Sequence, residues 1–157
     1  MPTHAEQRVL PYTPRQLFDL VADVERYPEF LPWCVAARIT KLEGNVFYAD
    51  LVVGFHVARE TFTSKVTLSA PGDLPSGSCR VDVTYLNGPF RYLNNHWIFE
   101  PVGEGSCRID FYIDFAFRSA FLQRIMGAVF NEAVRRMVSA FETRAAKIYG
   151  GKTPVTP

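Results

Sequence analysis

A chain of 157 residues with 48% hydrophobic and 21% charged side chains fits one folded domain, and no stretch is apolar for long enough to span a membrane. A net charge of +1 gives no global reason to expect nucleic acid, so DNA is not an expected partner. Cys34, Cys79 and Cys107 are odd in number and fit no zinc spacing; they read as free thiols in a reducing compartment.

Residues 4–12 read as a first strand, closed by Pro11 and Pro14. Neither an apolar secretory core nor an Arg- and Ser-rich presequence precedes it, so no signal or transit peptide is expected and the expected location is cytoplasmic. Thr13-Pro14-Arg15-Gln16 is a helix start: Thr13 can cap, Pro14 suits the first helical position and Gln16 completes a capping box. Leu17, Leu20, Val21 and Val24 follow at helical spacing, and the helix is expected to run until just before Pro28. Tyr27 to Cys34, pinned by Pro28 and Pro32, reads as a turn or short second helix rich in large apolar groups.

The period then switches to two. Residues 35–42, 46–53 and 57–68 read as strands, with Gly44-Asn45 as a hairpin turn. Residues 70–77 form a loop, 78–86 and 91–100 the next strand pair, and 106–117 a final strand. In that strand Cys107, Ile109, Phe111, Ile113, Phe115 and Phe117 alternate with Arg108, Asp110, Tyr112 and Asp114. Such alternation gives one buried and one wet face. Residues 119–148 read as a helix of about 30 residues, roughly 45 Å long. Leu122, Met126, Val129, Ala133, Met137, Ala140 or Phe141, and Ile148 form its expected apolar stripe, and residues 151–157 are a frayed tail.

A strand, a helix, a short helix, six strands and a long helix make an α+β domain over residues 1–150. Its seven-stranded antiparallel sheet curls around the C-terminal helix and leaves room for a ligand between them. Thirteen Phe, seven Tyr and two Trp line either a solid core or such a cavity. Six basic residues between Arg118 and Lys147 against Glu132 and Glu142 give this segment +4, a face for membrane headgroups or RNA phosphate.

His4, His56 and His96 fall on separate strands with no metal-ligand partner nearby, and no nucleophile elbow, P-loop or dinucleotide fingerprint is present. Catalysis is therefore not expected, nor is a metal or covalent cofactor. Two polar residues share phase with apolar neighbours: Glu60 with Phe62, and Asn95 with Leu93, Trp97 and Phe99. Facing inward, Glu60 must find a partner or stay neutral, and Asn95 could orient a ligand.

The chain resembles the START-like ubiquinone-binding proteins of the polyketide cyclase/dehydrase superfamily. The resemblance runs from His4 to about Gly150. It is carried by Tyr27-Pro28-Glu29-Phe30-Leu31-Pro32-Trp33-Cys34, by Glu60-Thr61-Phe62-Thr63-Ser64-Lys65-Val66, by Gly88-Pro89-Phe90-Arg91 with Leu93, Trp97 and Phe99, and by the run Met137 to Ala145. It implies the helix-grip fold of START domains and the birch pollen allergen, and an apolar tunnel binding ubiquinone or a similar prenyl lipid as a non-catalytic chaperone for respiratory electron transfer. The implied setting is bacterial, with transient contact at the inner membrane surface. On this reading Phe30, Trp33, Leu51, Phe62, Leu93, Trp97, Phe99, Phe111 and Phe115 wall the tunnel. Met126, Phe130 and Met137 close its helix side, and Glu60 and Asn95 are its polar contacts. The same family includes the bacterial ribosome-association toxin, which binds the large ribosomal subunit and blocks subunit joining, and its motifs do not separate the two activities. A polyketide cyclase-type enzyme is the third alternative.

Overall fold

The computed structural model describes residues 3–31, 33–55, 58–69 and 77–149, with side chains described throughout except at residues 55, 58 and 126–131. The expected loop 70–77 (apart from Gly77), the tail and His56 thus lie outside the described residues. Seven strands form one sheet: β1 (Thr3–Leu10), β2 (Cys34–Glu43), β3 (Val46–Phe55), β4 (Ala58–Ser69), β5 (Cys79–Asn87), β6 (Phe90–Pro101) and β7 (Cys107–Phe117). Their spatial order is β1-β7-β6-β5-β4-β3-β2, every pair antiparallel. Hairpins therefore link β2 through β7, while the connection between β1 and β2 must cross from one sheet edge to the other.

That crossing is made by α1 (Pro14–Ala22) and a 3₁₀ helix, Val24–Glu29. The capping box is present: Thr13 Oγ1 accepts from the Gln16 amide at 3.1 Å, and Gln16 Oε1 accepts from the Thr13 amide at 2.9 Å. The α-helix ends earlier than the approach of Pro28 alone predicts. Asp23 leaves helical geometry (φ −85°, ψ 66°), and the tighter 3₁₀ winding then carries Pro28 inside it.

Four register shifts bend the sheet: two in β2 against β3, one between Thr63 and Ser64 against β5, and one between Phe90 and Tyr92 against β7. Each extra residue increases local twist and curls the strand. Across the concave face lies α2 (Ala120–Tyr149), burying Leu122, Val134, Met137, Val138, Phe141 and Ala145. Ile148 is half exposed, contrary to its expected place in the stripe, because the 3.6-residue period carries the buried row from Ala145 to Tyr149. The Tyr149 hydroxyl donates to the Gln16 carbonyl at 2.8 Å, tying the helix end to α1. Two ion pairs hold the same half of the helix: Arg8 to Glu142 and Arg144 to Glu29, both at 2.6 Å.

The outer face of β7 is wet, as its alternation predicts. Arg108 pairs with Glu100, Asp110 accepts from Gln7, and Asp114 accepts from Thr3 at 3.0 Å. On the inner face of β1, His4, Glu6 and Arg8 form a chain that continues to Glu142. Burial works against ionisation of Glu6, yet hydrogen bonds from His4 and Arg8 outweigh it and hold the carboxyl below its usual range. Cys34, Cys79 and Cys107 are buried free thiols.

Candidate ligand cavity

Between the curled sheet and α2 lies a cavity of about 120 Å³. Its walls are set by strand parity. On β4, Phe62, Ser64 and Val66 face inward; on β5, Val81 and Val83; on β6, Leu93, Asn95 and Trp97; on β7, Phe111 and Ile113. Leu51 of β3 joins them. Met137 and Phe141 close the helix side, and Val21, Val24, Tyr27, Leu31 and Trp33 close the end where the chain crosses between sheet edges. An aromatic lattice stiffens these walls. The Trp97 ring lies 4.6 Å from Phe111 and 5.1 Å from Phe141, both tilted edge to face, and Phe62 packs edge-on to Phe90 at 5.4 Å.

No charged side chain and no histidine or cysteine borders this cavity among the described residues. Its hydroxyl and amide side chains are Ser64, Asn95 and Tyr27, and Trp33 and Trp97 add indoles to the wall. Asn95 Nδ2 donates to the Tyr112 carbonyl at 2.8 Å, so the amide is held in place. The Tyr27 hydroxyl donates to the Val21 carbonyl, and burial pushes its phenol well above the ordinary tyrosine range, which keeps it neutral. Ser64 is 2% exposed, and its Oγ has no protein partner. Among the described residues, no group of three or more His, Cys, Asp or Glu could hold a metal ion.

The expected wall residues divide. Trp33, Leu51, Phe62, Leu93, Asn95, Trp97, Phe111 and Met137 border the cavity. Four others do not. Phe30 packs against Tyr27 and Phe141, with the Arg144 guanidinium 5.1 Å from its ring centre. Phe99 is fully buried and borders a small satellite void between α1 and the sheet. Phe115 packs with Phe90 and Phe117. Glu60 has the inward parity but sits opposite Val53, near the start of β4, and does not border the cavity. The side chains of Met126 and Phe130 lie outside the described residues. Ser64 was missed, although it shares the phase already assigned to Glu60 and Phe62. The walls from α1 and the 3₁₀ segment were missed because helical spacing reports burial without saying what lies on the far side.

Three of the five arginines of the expected +4 segment are ion-paired, yet its balance of charge is unchanged, because Arg8 neutralises Glu142 as Glu29 neutralises Arg144. Arg135 and Arg136 pair with Glu132, and Arg144 with Glu29. Arg118 and Arg124 are exposed at the start of α2 beside Phe121, which is 60% exposed. The Arg118 amide donates to the Pro89 carbonyl, which sets this group against the β5–β6 hairpin.

A curled antiparallel sheet gripping one long helix, with an apolar cavity between them, defines a helix-grip protein. The likeness extends to solved folds at low identity, including a START superfamily protein from Mycobacterium smegmatis with a TM-score of 0.76. The chain belongs to the polyketide cyclase/dehydrase and lipid transport family, whose model matches residues 10–142. It is 36% identical to the ribosome association toxin RatA of Pseudomonas aeruginosa, across 96% of this chain and all of that one. It is 31% identical to coenzyme Q-binding protein COQ10 homolog B of Xenopus laevis, across 94% of this chain and 59% of that one. The solution structure of an 18 kDa protein from Caulobacter crescentus matches at 40% identity and a TM-score of 0.72, across 96% of this chain and all of that one. Among the described residues, no helix is long and apolar enough to cross a membrane.

Proposed function

We propose that this protein is a non-catalytic carrier of ubiquinone or a similar prenyl quinone, supporting respiratory electron transfer. One observation carries the reading: an uncharged, aromatic-walled cavity of about 120 Å³ with a few fixed polar groups. A dry apolar cavity of roughly 150 Å³ takes up benzene, so this one accommodates about one six-membered ring. The isoprenoid tail then runs beyond the walls named here, or the walls part on loading. Burying each CH₂ of that tail is worth about 0.8 kcal/mol, enough to draw a prenyl lipid from a membrane when the path is dry. Arg118, Arg124 and Phe121 together supply cations and an aromatic for transient contact with an anionic lipid surface.

The test is organic extraction of the purified protein followed by mass spectrometry, together with uptake of ubiquinone from liposomes. Co-purified quinone and saturable uptake are expected; failure of both rejects the carrier.

Ribosome association is the second reading, favoured by the relatives named RatA and by the exposed arginines at the start of α2. Co-sedimentation with large subunits that disappears at raised salt would support it. A cyclase-type enzyme is the weakest reading, because the cavity walls offer no paired acid and base among the described residues.

A further inference from the structure

One group on the cavity wall differs in kind from its neighbours. Ser64 is buried to 2% exposure, borders the cavity, and has an Oγ with no protein hydrogen-bond partner. Buried hydroxyls ordinarily find partners, because leaving one unmade forfeits its solvation without return. Strand alternation turns this one inward between Phe62 and Val66. A register shift between Thr63 and Ser64 changes the pairing of β4 with β5 at that point, so Ser64 stands opposite Tyr85 while Thr63 stands opposite Asn87. Phe62 and Val66, the inward neighbours on the same strand, are apolar.

The other wall hydroxyl and the wall amide already donate. Asn95 Nδ2 donates to Tyr112 and the Tyr27 hydroxyl to Val21. Of the two hydroxyls along the described walls, only that of Ser64 has an uncommitted proton. The guest that completes this site therefore offers an acceptor oxygen. It is uncharged, because no cation among the described residues borders the cavity to neutralise an anion, and its inserted part is about the size of one ring.

We propose that Ser64 seats a carbonyl oxygen of an uncharged, ring-sized head group, so that the cavity takes a keto ring head first and distinguishes it from a plain hydrocarbon ring. This rests on the carrier reading and assigns that site its polar contact.

Trp33 and Trp97 are the chain's two tryptophans and both border the cavity, so their fluorescence reports its occupancy. The full chain is titrated with a decyl-substituted benzoquinone and, separately, with decylbenzene displacing a bound apolar dye. The same titrations are run on Ser64→Ala and on Ser64→Cys, whose thiol is a weak donor at the same place. Wild type should bind the quinone more tightly than the hydrocarbon. Ser64→Ala should bind the quinone about three- to tenfold more weakly, the range of one neutral hydrogen bond, with decylbenzene unchanged and thermal stability equal or higher. Ser64→Cys should fall between, and it carries the test if the alanine variant does not fold. Unchanged quinone affinity in both variants, or equal losses for both ligands, overturns the role of Ser64 and leaves the carrier standing. Wild-type protein that binds neither ligand overturns the carrier itself.

Discussion

Trp97→Ala tests whether the hollow is a binding site or an accident of packing. The indole is 4% exposed, contacts Phe99, Phe111 and Phe141, and forms part of the wall of both the main cavity and the satellite void beside α1. Its removal joins the two. For a tryptophan packed on every side the expected cost is about 3–5 kcal/mol. Trp97 already faces open space on one side and has no dispersion partners there, so the loss should fall near the lower end, about 3 kcal/mol. At about 2–4 °C per kcal/mol for a chain of this size, the melting temperature should drop by roughly 6–12 °C. Calorimetry measures the drop, and quinone retained after incubation with loaded liposomes measures the binding. Retention should fall with the wall. A loss of about 5 kcal/mol with undiminished retention would refute the reasoning, since Trp97 would then be core and the guest would sit elsewhere.

Three further outcomes are expected. Gly88 adopts φ +148°, and a Cβ there would stand 2.5 Å from the Phe62 Cβ and 2.9 Å from its Cα. Gly88→Ala should therefore push the β5–β6 hairpin off β4 and destabilise by about 2 kcal/mol or more; an unchanged melting temperature would contradict the close approach. The depressed pKa of Glu6 contributes stability that is full above its unfolded value of about 4.5 and disappears as pH falls through the folded value. Melting temperature should thus decline on the acid side, and Glu6→Gln should flatten that decline while leaving a lower plateau at neutral pH. Burial raises the thiols of Cys34 and Cys79 to about 11 and that of Cys107 to about 12. At pH 8 none should react with a thiol reagent in the native protein and all three should react in denaturant; rapid native labelling would mean that the interior is open.

Where local rules act alone, the sequence was a close guide. Thr13 and Gln16 make the capping box their spacing requires, and the alternation in β7 separates a buried face from an ion-paired one. The helix-grip order of elements followed from those patterns. Period-two phase identified the inward face of β4 and β6 but not the depth along it, so Glu60 was grouped with a cavity that begins further along the strand at Phe62. Phe99 and Phe115 likewise have the right parity and lie beyond the hollow. Register shifts leave no mark that periodicity detects, and one of them sets Ser64 opposite Tyr85. Ion pairing is equally invisible in composition. Arg144 counted toward a basic face, yet its side chain is 12% exposed and bound to Glu29.

The alternation along β4 also makes this strand intolerant of one kind of genetic change. Thr61, Thr63, Lys65 and Thr67 occupy the opposite parity, and Thr63 there donates to Asp50 at 2.6 Å. Deleting a single codon upstream in the strand would swing that hydrophilic row into the greasy interior, whereas deleting two would shorten the strand and preserve its sidedness. Lineages descended from this fold should accordingly show length variation at the hairpins, and paired rather than single losses wherever β4 itself has been trimmed.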